Sequence, residues 1–174
     1  MKRLLIVVDY QRDFVSGALG FDGAEKLEED ICARIEAYRT AGDEVVFTLD
    51  THFENYLDTE EGRYLPIPHC IRGTDGWKLT DRVASLVEDS PCFEKETFGS
   101  LKLAEYLKGK PYDEIELCGL VSNICVLSNA VLARAACPNA HIVVDASLTG
   151  SSDRKLHEQS LDVLAGIQVE VRGR

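Results

Sequence analysis

The chain has 174 residues, 45% of them hydrophobic and 28% charged, a composition typical of a globular protein, and we expect residues 1–174 to form a single domain. Its formal net charge of −11 argues against a nucleic acid or an anionic membrane as a partner. No stretch approaches the length of a transmembrane helix, and the apolar run at residues 4–8 is too short for a signal peptide, so we expect a cytoplasmic protein.

Short apolar runs alternate along the chain with stretches of helical periodicity. Such continuous runs are typical of strands that are buried on both faces of a parallel sheet. They predict strands over residues 4–8, 44–49, 114–121, 141–146 and 167–172, with a shorter one at 90–94. The helical pattern predicts helices over residues 23–42, 100–108, 122–136 and 152–166. This alternation predicts an α/β fold with a parallel sheet.

Residues 50–79 form a long polar segment, and a segment of that length in a compact domain is more often functional than idle. Asp50 and His52 point the same way if the chain is extended there, and a carboxylate and an imidazole can share a metal ion. His69 follows later in the segment. The acidic residues between the histidines are Glu54, Asp58, Glu60 and Glu61. Zinc, iron or manganese would suit such ligands; the alternative is a polar loop whose acidic groups face water.

Reactive side chains follow several of the predicted strands. Asp9 ends the first strand, Lys95 follows the short strand at 90–94, and Cys125 follows the run at 114–121. Because ligands of α/β proteins bind at the carboxyl ends of parallel strands, we expect these side chains to meet at one edge of the sheet. Taken singly, Asp9 has an alternative role as a turn cap, and Lys95, between two glutamates, has one as a solvated charge.

Cys125 has two interpretations. It lies in the first turn of the predicted helix 122–136, where free backbone N–H groups favour a thiolate, and Ser122 or Asn123 is expected to cap that helix. The alternative is a buried small hydrophobe. The chain has six cysteines at irregular spacing and no CxxC motif, so we expect free thiols rather than disulfides. Cys70 adjoins His69 and is a weaker candidate for a place near a metal.

Two further sets of side chains have either a structural or a functional interpretation. Gln11 is expected to hydrogen-bond a neighbouring loop, and Asp13 is either a cap or a surface residue. The aromatic side chains Phe14, Trp77 and Phe98 either wall an apolar pocket for a flat ligand or simply belong to the core.

Four segments, in this order, resemble the isochorismatase-like cysteine hydrolases and, among them, the nicotinamidases. The segments are LLIVVDYQRDF (4–14), FTLDTHFENY with EGRYLPIPHC (47–56 and 61–70), FEKETFGS (93–100) and LCGLVSNICVLSNA (117–130). The resemblance covers nearly the whole chain and implies a three-layer α/β/α fold around a parallel sheet of five or six strands. One departure stands out: nicotinamidases usually read KxxxSAF after the lysine, where this chain reads KETFGSL.

The resemblance also implies the roles of individual residues. Asp9, Lys95 and Cys125 would form the catalytic triad, with the backbone N–H groups of Ser122 and Cys125 as the oxyanion hole. A cis peptide bond would join Val121 to Ser122. The metal ligands would be Asp50, His52 and His69, with Glu61 as the fourth and Glu54 as its alternative. The substrate pocket would be lined by Phe14, Leu65, Trp77, Phe98 and Val121.

The activity that the resemblance implies is the hydrolysis of nicotinamide to nicotinate and ammonia through a cysteine thioester. It implies a divalent metal, zinc before iron or manganese, and a small-molecule substrate; a homo-oligomer is possible because relatives often form dimers or tetramers. The first alternative is a hydrolase of the same fold that acts on a ureido or carbamoyl compound or on an isochorismate-like vinyl ether. The second is a non-catalytic binding protein that has kept the fold.

Overall fold

The computed structural model describes all 174 residues and contains a six-stranded parallel sheet between two layers of helices. The strands are β1 (Arg3–Val8), β2 (Glu44–Asp50), β3 (Cys92–Lys95), β4 (Glu114–Leu120), β5 (His141–Gly150) and β6 (Glu170–Arg172). They lie in the order β3-β2-β1-β4-β5-β6, and every neighbouring pair is parallel. The predicted fold class is confirmed.

Seven α-helices connect or flank these strands. They are α1 (Arg12–Val15), α2 (Leu27–Thr40), α3 (Glu60–Tyr64), α4 (Asp81–Ser85), α5 (Leu101–Leu107), α6 (Leu127–Ala136) and α7 (Arg154–Gly166). The four predicted helices correspond to α2, α5, α6 and α7. The others have five residues or fewer, too few turns to produce a visible periodicity. None of the helices has the length and apolar character that crossing a membrane requires.

The central strand β1 shows why the apolar runs are continuous rather than alternating. Leu4, Ile6 and Val8 pack into one core cluster with α5, α6 and α7, whereas Leu5 and Val7 pack into a second cluster with α2 and α4. All five side chains are fully buried. Burying one such side chain stabilises the fold by about 1.5–3 kcal/mol, so both faces of the strand select apolar residues.

The order of the strands creates a switch point beside β1. The chain proceeds from β1 outwards to β2 and β3, then crosses back to β4 on the other side of β1 and continues to β5 and β6. Loops that leave β1 and β4 therefore diverge in opposite directions and open a crevice between them. In open α/β sheets this is the place where ligands bind.

The close pairing of β1 and β4 requires a glycine. Gly119 in β4 has φ +106°, and a Cβ atom built on it would lie 2.0 Å from the carbonyl oxygen of Val8 in β1. A side chain at this position would force apart the two strands that carry the switch point, in addition to the cost of a backbone conformation that L-residues rarely adopt.

We therefore expect Gly119→Ala to lower the free energy of unfolding by about 3 kcal/mol or more, measured by urea denaturation. The matched control is Gly166→Ala at the end of α7, where nothing lies within 4 Å of a built Cβ atom. That change is expected to stay within about 1 kcal/mol of the wild type. Equal stability of the two variants would contradict the close approach of β1 to β4.

Candidate active site

Three polar side chains from distant segments meet at the switch point. Asp9 directly follows β1, Lys95 is the last residue of β3, and Cys125 lies just after β4. The Nζ atom of Lys95 lies 2.6 Å from Oδ2 of Asp9 and 3.5 Å from Sγ of Cys125. None of the three residues is more than 5% exposed. Lys95 is thus not the solvated charge that its glutamate neighbours suggest.

Burial and the buried ammonium together set the charge state of this group. Burial raises the pKa of the Asp9 carboxyl, and the charge of Lys95 only partly opposes that rise. Burial likewise raises the pKa of the Cys125 thiol well above its usual range, again against the pull of Lys95. Burial would lower the pKa of Lys95, but Asp9, Cys125 and Asp50 hold that pKa well above its usual value. The resting site therefore contains an ammonium, a protonated thiol and a carboxylate with raised basicity.

Asp9 is held in a conformation that a non-glycine residue rarely adopts. Its φ is 45°, in the left-handed region, and its backbone N–H donates to the carbonyl of Thr48 at 3.1 Å. The hydroxyl of Thr48 donates to Oδ1 of Asp9 at 2.7 Å. Such backbone strain costs about 1–3 kcal/mol and concentrates at functional sites. The neighbouring strand thus fixes both the backbone and the carboxylate of Asp9.

The structure corrects two predictions about the segment that carries Cys125. Residues Ser122–Val126 form a π-helical turn rather than the first turn of an α-helix, and neither Ser122 nor Asn123 caps it through its side chain. The wider turn leaves the Ser122 hydroxyl free to pair elsewhere. The cis peptide bond joins Leu120 to Val121, one bond earlier than predicted, and it lies directly at the end of β4, which ends at Leu120.

Four side chains of the types that bind metal ions lie beside this group. The ligand atoms of Asp50, His52, Glu61 and His69 all lie within 4.8 Å of one another. Nε2 of His52 is 3.0 Å from Oδ2 of Asp50 and 3.6 Å from Oε1 of Glu61, and Nε2 of His69 is 3.4 Å and 3.7 Å from the same oxygens. Two atoms bound to one metal ion at about 2.0–2.1 Å are separated by similar distances.

The surroundings of these four side chains also fit a divalent metal ion. Nδ1 of His69 bonds the carbonyl oxygen of Ile67 at 2.8 Å, which leaves its Nε2 free as a ligand. Oε2 of Glu61 is buried without a hydrogen-bond partner, an orphan that a bound ion or ligand would satisfy. Glu54 is exposed and lies outside the group, so the geometry favours Glu61 as the fourth ligand.

Asp50 belongs to both clusters. Its Oδ2 faces the two histidines, and its Oδ1 lies 3.1 Å from Nζ of Lys95. The side-chain amide of Gln11 makes two hydrogen bonds to the backbone of Asp50. Its oxygen accepts the N–H of Asp50 at 2.7 Å, and its Nε2 donates to the carbonyl of Asp50 at 2.8 Å. The same Nε2 donates to the carbonyl of Trp77 at 2.7 Å. The predicted contact of Gln11 with a neighbouring loop is confirmed.

Asp13 ties the loop of His69 to the first helix. Its Oδ2 accepts the backbone N–H of Cys70 at 2.7 Å. Cys70 itself has φ 45° and is fully buried, and burial raises the pKa of its thiol, so it behaves as a packed side chain beside the metal group. All six cysteines are free thiols, as expected.

A cavity of about 570 Å³ opens next to these two clusters. It is lined by Glu60, Glu61, Tyr64, Leu65, Thr97, Phe98 and Ile124. Two of the predicted pocket residues, Leu65 and Phe98, are on this lining. The lining also contains Tyr64 and Ile124, which the sequence analysis missed. Tyr64 lies one helical turn after Glu61, and Ile124 directly precedes Cys125. Their closeness in sequence to these two candidate residues is the feature that could have identified them.

The other three predicted pocket residues lie outside this lining. Phe14 packs edge-on against His69, with ring centroids 5.6 Å apart. The indole N–H of Trp77 donates to the hydroxyl of Thr51 at 2.9 Å. Val121 packs against the core cluster on the α2 side of the sheet.

Comparison with known proteins gives consistent matches over the whole chain. The Isochorismatase domain model matches residues 3–173. A nicotinamidase of Acinetobacter baylyi is 28% identical, over 94% of this chain and 90% of that protein. The crystal structure of nicotinamidase/pyrazinamidase PncA from Bacillus subtilis superposes with a TM-score of 0.88 at 31% identity, covering 99% of this chain and 100% of the other. The pyrazinamidase of Pyrococcus horikoshii in complex with zinc gives a TM-score of 0.85 at 26% identity, covering 98% of both chains.

We expect Glu61→Ala to weaken zinc binding at least about 10-fold, because it removes one of the four candidate ligands. The affinity is measured by titration of the metal-free protein against a chromophoric chelator. Glu54→Ala is the matched control, since that exposed side chain lies outside the ligand group. A loss of affinity in the Glu54 variant, with none in the Glu61 variant, would reverse the assignment of the fourth ligand.

The pKa of Cys125 lies above its usual range, so its thiol is protonated at neutral pH and its thiolate fraction grows as the pH rises. We expect alkylation of Cys125 by iodoacetamide to accelerate from about pH 6 to pH 10 without a plateau near neutrality. Lys95 lowers this pKa, so Lys95→Met should raise it further and slow alkylation at pH 8 about 10-fold.

The rate at Cys125 is read by mass spectrometry of its peptide, on protein freed of metal. Lys102→Met, an equivalent change at an exposed lysine of α5, should leave the rate unchanged. Faster alkylation in the Lys95 variant would contradict the electrostatic role of Lys95.

Proposed function

Because this chain belongs to the isochorismatase family, we propose that it is a cysteine amidohydrolase that converts nicotinamide to nicotinate and ammonia, with Asp9, Lys95 and Cys125 as its catalytic triad. The observation that carries this proposal is the buried ammonium of Lys95, 2.6 Å from the Asp9 carboxylate and 3.5 Å from the Cys125 sulfur. A nucleophile, a proton acceptor and a charge that stabilises the thiolate are thereby in one group. The nicotinamidases among its relatives support the choice of substrate.

In the first half-reaction, Asp9 accepts the proton of the Cys125 thiol while Lys95 stabilises the thiolate that forms. The sulfur attacks the amide carbonyl carbon, and the carbonyl electrons move to the oxygen. The backbone N–H groups of Ser122 and Cys125 receive this oxyanion. When the tetrahedral intermediate collapses, Asp9 returns the proton to the leaving nitrogen. Ammonia departs, and the acyl group remains as a thioester on Cys125.

In the second half-reaction, a water molecule attacks the thioester carbonyl, and Asp9 takes one proton from it. The tetrahedral intermediate again places its oxyanion on the backbone N–H groups. Its collapse breaks the bond from carbon to sulfur, releases the carboxylic acid and returns the proton to the thiolate of Cys125. The raised pKa of Asp9 suits a group that accepts and returns a proton in each half-reaction.

We propose that Asp50, His52, Glu61 and His69 hold a divalent metal ion, and that this ion is zinc. When bound, the ion would act as a Lewis acid that holds a ring nitrogen of the substrate and water molecules. This contact would orient an aromatic amide. Iron and manganese accept the same types of ligand. The apolar wall of the cavity would contact the other side of the ring through Leu65 and Phe98. Phe14, Trp77 and Val121 would then support the site from behind the lining rather than touch the ring.

Several broader expectations accompany this proposal. We propose that residues 1–174 act as one domain on a small-molecule substrate in the cytoplasm. The net charge of −11 continues to argue against a nucleic acid or an anionic membrane as a partner. The homo-oligomer also stays a prediction.

Purified wild-type protein loaded with zinc is expected to release ammonia from nicotinamide, measured by a coupled glutamate dehydrogenase assay. Cys125→Ala should reduce kcat at least about 10³-fold, because no other group replaces the nucleophile. Cys92→Ala removes an exposed thiol and is the matched control, with activity expected at the wild-type level.

Two results would contradict this assignment in different ways. Turnover retained in Cys125→Ala would exclude the thioester route. No ammonia from a folded, zinc-loaded wild type would exclude nicotinamide as the substrate. Ammonia release would then be measured with ureido and carbamoyl compounds. For an isochorismate-like vinyl ether, the other alternative substrate of this family, release of the carbonyl product would be measured instead, because that reaction forms no ammonia. The segment KETFGSL, which departs from the nicotinamidase pattern, contributes Thr97 and Phe98 to the cavity and is where a different substrate would be recognised.

A further inference from the structure

One contact joins the turn of Cys125 to a distant helix. Nδ1 of His157, in α7, lies 2.9 Å from the hydroxyl oxygen of Ser122, so the two side chains share a hydrogen bond. Ser122 is fully buried, and His157 is half-buried. The proposed reaction uses neither of these side chains. The contact spans 35 positions of sequence.

Ser122 opens the turn that carries the nucleophile. The turn is wide: the N–H of Val126 donates to the carbonyl of Val121 at 3.2 Å, and the N–H of Leu127 donates to the carbonyl of Ser122. Turns of this π type are rare, and they are frequent at functional sites. The Ser122 side chain does not cap the turn. Its hydroxyl instead fixes the start of the turn to α7.

The far end of the same turn is fixed in a comparable way. The side-chain amide of Asn129, which is fully buried, donates to the carbonyl of Cys125 at 2.8 Å and to that of Phe98 at 3.1 Å. Its Oδ1 accepts the N–H of Ser100 at 3.0 Å. The segment from Ser122 to Cys125 is therefore held at both ends by side chains outside it.

The helix that presents His157 is itself rigidly placed. Asp153 caps its N-terminus by accepting the N–H of Leu156 at 3.0 Å, and the N–H of His157 donates to the carbonyl of Asp153 at 2.9 Å. Leu161 and Leu164 of the same helix are fully buried in the core under the sheet. The hydrogen bond to His157 thus connects Ser122 to a helix that is anchored in the core.

We propose that His157 is a positioning residue for the reaction. Through the Ser122 hydroxyl it fixes the turn whose backbone N–H groups would receive the oxyanion and whose sulfur is the nucleophile. The proposal rests on the proposed function, since it assigns a role in that same site. His157 acts through Ser122, so its loss should lower kcat and leave KM unchanged, because substrate contacts in the ground state stay in place.

The test compares four variants by steady-state kinetics with nicotinamide. His157→Leu removes the hydrogen bond and is expected to lower kcat about 10- to 100-fold, with KM within about twofold of the wild type. His157→Asn places an amide where Nδ1 lies, keeps a hydrogen bond to Ser122 and should restore most of kcat. Ser122→Ala keeps the backbone N–H and removes only the hydroxyl, so it should match His157→Leu. The double variant should lose no more than either single one.

A matched control is His141→Leu, which makes the same change at an exposed histidine paired with Glu170 at the opposite end of β5. It is expected to keep the wild-type kcat. Wild-type kcat in His157→Leu would overturn the proposal. A loss of kcat in His157→Leu that His157→Asn fails to restore would also overturn it, because such a loss would come from disturbed packing rather than from the missing hydrogen bond. If His157→Leu does not fold, the comparison of Ser122→Ala with wild type decides, because that change removes a single oxygen atom.

A second measurement separates this proposal from the proposed function. Alkylation of Cys125 by iodoacetamide needs no nicotinamide, and its rate depends on where the turn places the sulfur relative to Lys95. If wild type releases no ammonia, the proposed substrate fails, and alkylation then decides the positioning role. A rate at least about threefold slower in His157→Leu, restored in His157→Asn, supports that role. Equal rates in the three proteins overturn it.

Discussion

Lys95 carries a positive charge into a site from which water is almost excluded. Removing an ammonium from water costs several kcal/mol unless partners of opposite charge replace the solvent. Two carboxylates do so, from Asp9 at 2.6 Å and from Asp50 at 3.1 Å, and the sulfur of Cys125 completes the group. The ends of β1, β2 and β3 must therefore meet the turn after β4. Much of the remaining architecture keeps these three strand ends and the turn close together.

The two oxygens of Asp50 connect the proposed catalytic triad to the candidate metal ligands. One oxygen faces Lys95 and the other faces the histidines, so the same carboxylate borders the proposed triad and the candidate metal ligands. Its backbone is clamped by Gln11, and the loop that returns with His69 is held to Asp13 through the N–H of Cys70. Both hydrogen-bonding side chains come from the segment that follows β1, and Asp9 is the first residue of that segment. One short stretch of chain thus places parts of both clusters.

The turn of Cys125 depends on supports that lie elsewhere in the fold. His157 from α7 holds its beginning, and Asn129 from α6 holds its end. Gly119 permits the close approach of β4 to β1 just before the turn. The proposed oxyanion site consists of backbone N–H groups, so its geometry depends on neighbours that hold the backbone in place.

The sequence by itself determined the order of strands and helices, because buried parallel strands and amphipathic helices leave different periods in the apolar residues. It also determined which side chains end the strands, and the four ordered motifs singled out Asp9, Lys95 and Cys125. The pattern of residues within one segment does not predict its contacts with distant segments. Only the tertiary structure decided that Lys95 is buried, that Glu61 rather than Glu54 joins the histidines, and that Ser122 bonds His157 instead of capping its own turn. Each of these depends on which elements pack together, a choice made by the whole core rather than by any one stretch of residues.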